Sequence, residues 1–315
     1  MILRGINFGT VHGASGVQGF FGEGYWFHKM WKSLGLLRFD GMTFVAKTTT
    51  LHAREGNMPL GKRLTPQELF PKCVVVKFWK GVVLNSVGLS GPGAHVLLNM
   101  EYWQQRREPF FISFMSVAST PRERLEELCG FVNILKEHLS SFRAPVGLQL
   151  NFSCPNTGLH TEELLGEVND GLGAVAQLGI PIVPKFNIRL PIETAQKIAE
   201  HPSCDALCVS NTIPWGQFPD RIDWEGLFGS NESPIAHIGG GGLSGKPLLP
   251  LVSEWVYQAR KAGITKPISA GGGILSQKDV RVIMRAGADS IFLGSIAILR
   301  PWRVRGIVSH FSDSP

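Results

Sequence analysis

The chain lacks several features, and each absence excludes something. None of the apolar stretches in its 315 residues reaches the roughly 18–20 residues a membrane-spanning helix needs, so no membrane span is expected. The opening MILRGINFGTVHGASG has neither the basic segment nor the apolar core of a secretory signal. The five cysteines, Cys73, Cys129, Cys154, Cys204 and Cys208, form no metal-ligand spacing, because the Cys204–Cys208 gap has no paired cluster elsewhere. An odd count without an export signal reads as free thiols in a cytoplasmic protein that binds no metal. The glycosylation pattern Asn151-Phe-Ser then has no meaning. Dense basic runs are missing too. The net charge is +6, but Lys and Arg are scattered, and Gly61-Lys-Arg and Gln105-Arg-Arg are short. A basic surface that favours anionic small molecules accounts for this excess, and no nucleic-acid partner is expected.

What is present is ordinary globular material, 43% hydrophobic and 18% charged, with 37 glycines gathered at the ends of apolar runs. Short runs rich in Val, Ile and Phe occur at 6–13, 43–50, 82–88, 110–116, 146–153, 180–187, 206–212, 267–273 and 290–295, each closing in a polar or glycine cluster. Helical patterns lie between many of them, at 121–139, 161–179, 192–201, 248–263 and 278–287. Strand and helix in alternation mean a parallel sheet with helices packed outside. Nine runs are one too many for a closed eight-stranded barrel. The run at 82–88 is the one to set aside, because the stretch before it, LHAREGNMPLGKRLTPQELFPK, is polar, proline-interrupted and aperiodic. The expected fold is α/β, a single (β/α)8 TIM-barrel domain over 1–315, with about 50–94 as an excursion over the C-terminal mouth. A doubly wound open sheet is the alternative. It wants a glycine fingerprint after the first strand, and GASG at 13–16 is too short for one.

The barrel gives meaning to NFSCPNTGLH at 151–160. In the run VGLQLNFS, period two sets Val146, Leu148, Leu150 and Phe152 against the helices and Gly147, Gln149, Asn151 and Ser153 toward the barrel axis. Asn151 then stands at the C-terminal end, where barrel enzymes do their chemistry. Cys154 follows on the mouth loop, and Pro155 ends the strand by withholding a backbone donor. Thr161 caps the next helix. Other strand ends carry Asn85, Lys47, Lys185 and the pair Asn211-Thr212. Carboxamides on one rim both donate and accept, which suits a flat ligand with alternating C=O and N–H groups. Two lysines there point to something that becomes anionic. SAGGG at 269–273 and FLGS at 292–295 each precede a helical pattern, which is how this fold builds a phosphate cradle. IGGGGLSG at 238–245 lies between ordered elements and is expected against a ligand rather than as a linker.

The pieces ASG, AKTTTLHAREGNMPL, LNSVGL, LNFSCPN, PKFN, SNT, GGLSGKPL, GGGI and GS occur in order between residues 14 and 298. Together they resemble the dihydroorotate dehydrogenase family, FMN enzymes of pyrimidine synthesis. LNFSCPN is the most specific of them. The resemblance implies that Cys154 is the base that removes the C5 proton of dihydroorotate while hydride passes from C6 to flavin N5. It implies that Asn85, Gly88, Leu89, Asn151, Asn156, Asn211 and Thr212 hold the pyrimidine ring. Lys47, Thr48, Asn151, Lys185 and Ser210 would contact the flavin, Ala14 and Gly16 would lie beneath it, and Gly245, Gly272, Gly273, Gly294 and Ser295 would take its ribityl phosphate.

The match is mixed in type. Cys154 and Lys47 are similar to the soluble class with a cysteine base, whereas NTG after the proline, Asn211-Thr212 and GGLSGKPL look like the membrane-associated class with a serine base. The helical N-terminal extension of that second class is not seen before the first strand. After LNSVGL the family usually has a further asparagine, and here Ser90-Gly91 stands instead. Three other readings stay open: an FMN enzyme of another dihydropyrimidine-like ring, a flavin- or phosphate-binding barrel without turnover, and a thiol nucleophile paired with His160. The acceptor is open between fumarate, NAD through a partner subunit, and quinone. The oligomeric state is open as well, with a homodimer one outcome the resemblance to the soluble enzymes allows.

Overall fold

A computed structural model of the chain describes residues 1–152 and 161–311. Its strands, in chain order, are β1 (Ile2–Leu3), β2 (Ile6–Asn7), β3 (Val11–Gly13), β4 (Val74–Lys77), β5 (Val82–Asn85), β6 (Phe110–Phe114), β7 (Val146–Asn151), β8 (Ile182–Phe186), β9 (Leu207–Val209), β10 (Ile213–Pro214), β11 (Gly242–Gly245), β12 (Ile268–Ala270) and β13 (Ser290–Leu293). The α-helices are α1 (Trp26–Ser33), α2 (Ala94–Asn99), α3 (Pro121–His138), α4 (Thr161–Val175), α5 (Ile192–Glu200), α6 (Trp224–Phe228), α7 (Leu248–Lys261), α8 (Gln277–Arg285), α9 (Ile296–Leu299) and α10 (Pro301–Phe311).

Seven strands form one parallel sheet in the order β3-β13-β12-β9-β8-β7-β6. The gap between β3 and β6 is spanned by residues 43–49. Thr43 bridges to His12 on one side, and Val45 and Thr49 bridge to Phe111 and Phe114 on the other, all in parallel. Eight staves therefore close a (β/α)8 barrel, and the eight are the runs read from the sequence.

Strand alternation divides the core as period two requires. Val146, Leu148 and Leu150 of β7 pack in the shell between sheet and helices. Gly147 faces the axis, where a Cβ would come within 2.5 Å of the Phe111 ring, so glycine is what lets that ring fill the barrel. The five expected helices form, and local chemistry explains their starts. Thr120 and Glu123 make a reciprocal capping box around Pro121 for α3, and Ser276 accepts from the Asp279 N–H to start α8.

The excursion is more ordered than its sequence implies. β4 and β5 form an antiparallel hairpin, and β5 pairs with β11, which pairs with β10, giving a four-stranded sheet beside the mouth. The glycine run read as lying against a ligand thus contributes a strand. Gly245 has φ +111, and a Cβ there would sit 2.2 Å from the Gly81 carbonyl, so close pairing with β5 demands glycine. No helix among the described residues is long and apolar enough to cross a membrane.

Candidate active site

The C-terminal ends of the barrel strands surround a cavity of about 1530 Å³. Most residues singled out in the sequence line it: Ala14 and Gly16 after β3, Lys47 and Thr48 on 43–49, and Asn85, Gly88 and Leu89 from the excursion. Asn151 ends β7, Lys185 lies on β8, Ser210, Asn211 and Thr212 follow β9, and Gly272, Gly273, Gly294 and Ser295 follow the last two strands. Gly245 pairs with Val82 of β5 and lies beside Gly273, whose added Cβ would come within 2.9 Å of the Gly245 carbonyl. Cys154 and Asn156 lie outside the described residues, as do Pro155 and His160, and the side chain of Thr161 is not described either.

The rim amides are held in register. Asn211 Nδ2 donates to Asn151 Oδ1 at 2.7 Å, joining the ends of β7 and β9, and Asn187 Nδ2 donates to the Thr212 carbonyl at 2.6 Å. Asn85 Nδ2 reaches the Gly242 carbonyl at 3.4 Å across the excursion sheet. The Val209–Ser210 peptide bond is cis. On the opposite wall a hydroxyl chain that the sequence did not reveal runs from Ser15, which donates to the Ala46 carbonyl at 2.8 Å, to Thr48 at 2.8 Å and on to Ser113 at 2.9 Å. Its members come from three separate strand ends, so no local pattern marks it.

Two lysines dominate the electrostatics. Lys47 is buried, donates to the Ser90 carbonyl and lies 4.7 Å from the Phe20 ring centre. Burial lowers its pKa to about 8, opposed by the charge of Glu23. Lys185 is buried 5.0 Å from the Phe292 ring centre. Burial pushes its pKa down as well, opposed by the thiol of Cys208, which in turn takes an N–H···S contact at 3.6 Å from Gln149. Among the described residues no carboxylate forms an ion pair with either lysine. A buried ammonium without an acid is costly, and an anionic ligand is the remaining way to compensate it.

The glycine rim offers the second half of an anion site. Among the described residues, no acceptor meets the N–H groups of Gly272, Gly273, Gly294 and Ser295. Four open backbone donors together at two strand ends, Gly273 buried and the others half-buried, fit a phosphate. Lysines without a carboxylate partner among the described residues at the centre, and open donors at the edge, together match the donor set that FMN requires. The cavity also continues outward between α1 and the β4–β5 hairpin, along Trp26, Phe27, Trp31, Leu69, Phe70, Val76 and Phe78. This apolar arm was not anticipated, since its residues come from segments far apart in the sequence.

Comparison with known proteins agrees with this geometry. The family model described as dihydroorotate dehydrogenase matches residues 10–310. Two curated relatives, both named dihydroorotate dehydrogenase B (NAD(+)), catalytic subunit, come from Thermotoga petrophila and Thermotoga maritima. Each is 26% identical over 274 residues, which is 85% of this chain and 86% of the relative. The crystal structure of DHODH from Eimeria tenella in complex with ferulenol superposes with a TM-score of 0.67 at 19% identity, covering 98% of this chain and 82% of that one, a likeness of fold.

Proposed function

Because the chain belongs to the dihydroorotate dehydrogenase family, FMN-dependent oxidoreductases acting on a CH–CH bond, we propose that it oxidises dihydroorotate to orotate in pyrimidine biosynthesis, with Cys154 as the base. The observation that carries the reading is the buried Lys185, which has no carboxylate partner among the described residues and lines the cavity between the amide rim and the open glycine N–H groups.

The roles divide by position. Gly272, Gly273, Gly294 and Ser295 would hold the phosphate of FMN, and Lys47, Thr48, Lys185 and Ser210 its ring. Bound FMN supplies a hydride acceptor, N5, for the hydrogen leaving C6 of the substrate. Lys185, itself buried, offers positive charge where reduction builds negative charge. Asn85, Asn151, Asn156, Asn211 and Thr212 orient the substrate ring by its alternating donors and acceptors. Cys154, three residues beyond Asn151, takes the C5 proton. Thiolate is the competent form, and a free cysteine is only a few per cent ionised at pH 7, so turnover should rise with pH unless the pocket lowers that thiol's pKa.

Replacement of the base tests the assignment. Cys154→Ala should bind FMN and stay yellow, while anaerobic flavin reduction by dihydroorotate slows by about 10²–10⁴-fold, the worth of a positioned base. Flavin reduction at the native rate in that variant would contradict the role of Cys154.

A further inference from the structure

Ser15, Thr48 and Ser113 stand on three successive staves, after β3, on 43–49 and on β6, across the barrel from Lys185 on β8. Their hydroxyl oxygens lie 2.8 and 2.9 Å apart along the row. The row has one direction. A hydroxyl carries a single proton, and that of Ser15 goes to the Ala46 carbonyl, which cannot donate in return. Ala46 is buried, and among the described residues no other group donates to its carbonyl. Thr48 must therefore donate to Ser15, and Ser113 to Thr48. Ser15 and Thr48 line the cavity with their protons already committed, so they turn lone pairs alone toward a ligand.

Lone pairs on that wall distinguish the two redox states of a flavin. One long edge of the isoalloxazine ring carries N1, N10 and the ribityl chain, and the other carries N5 and the C4 carbonyl. Reduction builds its negative charge at N1, so Lys185 belongs beside the first edge. The phosphate, at the ends of β12 and β13, draws the ribityl chain of that same edge to its own side of the mouth. The edge bearing N5 then turns toward 43–49. In oxidised flavin N5 and the C4 carbonyl are both acceptors, and lone pairs opposite them repel. Reduction puts a proton on N5, and the wall then accepts a hydrogen bond from it.

We propose that the Ser113–Thr48–Ser15 row is a polarised acceptor for flavin N5–H that favours reduced over oxidised FMN, with Ser15 fixing its direction through the Ala46 carbonyl. Ser15 and Ser113 act through Thr48 and are positioning residues. Turning the row round to donate to oxidised N5 would leave the buried Ala46 carbonyl unpaired, so the fold resists it. The inference rests on the placement of FMN given under the proposed function, and is independent of the base and of the substrate.

The reduction potential of the FMN-loaded protein, measured by spectroelectrochemical titration without substrate, tests it. Ser15→Ala frees the Thr48 proton to turn toward oxidised N5. The ratio of the dissociation constants of oxidised and reduced FMN should then fall by about tenfold, the worth of one hydrogen bond. That is a potential lower by about 30 mV for a two-electron couple. Ser15→Thr keeps the hydroxyl and should return the native potential. Thr48→Val removes the acceptor without supplying a donor, and should lower the potential by less than Ser15→Ala does. Ser113→Ala leaves the direction of the row intact and should lower it least. A native or raised potential in Ser15→Ala, with a shift in Thr48→Val, would overturn the row and leave the placement of FMN standing. Native potentials in all the alanine and valine variants would overturn both. Because no dihydroorotate is added, failure of that substrate to reduce the flavin would not alter these potentials.

Discussion

The two ends of the barrel are built from the same strands and finish in opposite ways. At the N-terminal end, Leu3 and Phe8 close over Phe111, whose ring stacks on Phe8 at 4.2 Å, and Val45, Val183 and Ala206 complete an apolar plug. The ionisable side chain there, His12, is kept neutral, because burial lowers its pKa to about 4 against the opposing pull of the Gly9 carbonyl. At the C-terminal end the same axis opens into the cavity and carries Lys47 and Lys185, both disfavoured as cations by burial and neither in an ion pair among the described residues. One end is satisfied within the chain and the other is not. The unsatisfied end is where a ligand contributes the missing charge, so the comparison locates function without reference to any relative.

Substitutions at the two ends should separate stability from activity. The largest effect on folding is expected at the plug: Phe111→Ala should cost about 3–5 kcal/mol in denaturant unfolding, and the fraction that remains folded should reduce its flavin at close to the native rate. A Phe111→Ala protein that is stable but inactive would break the distinction.

Acid should act on the same end. The folded His12 has a pKa near 4, below the ordinary 6.5, so on acidification the unfolded chain takes up the proton first. Its contribution to stability is therefore complete above about pH 6.5 and is lost as pH falls toward 4, amounting to about 2 kcal/mol by about pH 4.5. His12→Gln should flatten that part of the melting-temperature profile. An unchanged slope would place the acid sensitivity elsewhere.

The smallest stability change, with the opposite sign, belongs to the mouth. Lys185→Met removes a buried cation and should raise the stability of the flavin-free protein by on the order of 1 kcal/mol. The same change should slow flavin reduction by about 10²-fold, the usual loss for one charge-stabilising donor. Lower stability together with full activity would reverse the assignment of this lysine.

Legibility in the sequence follows the range of the interactions involved. The eight staves were readable because each is a short apolar run ending in a polar or glycine cluster, a pattern set by neighbours along the chain. The rim residues were readable for the same reason, since a strand end fixes where its last side chain stands. Segment 74–77 fell inside the expected excursion and was not read as a strand, although the valines of VVVK are β-branched; its partner β5 fixes its place, and β11 in turn pairs with β5 from about 160 residues away. Gly245, which the resemblance assigns to phosphate, also pairs with Val82 of β5, a contact that only the folded sheet reveals. α1, with Tyr25 preceding it and no acidic residue in its first turn, carries few of the usual helix-start signals. The Ser15–Thr48–Ser113 chain and the apolar arm exist only once distant segments meet.

The most direct measurement is an anaerobic absorbance titration of the purified yellow protein with dihydroorotate. Bleaching of the flavin band, with orotate formed in equal amount, is the expected result. An absorbance that dihydroorotate leaves unchanged, in protein shown to hold FMN, would contradict the account.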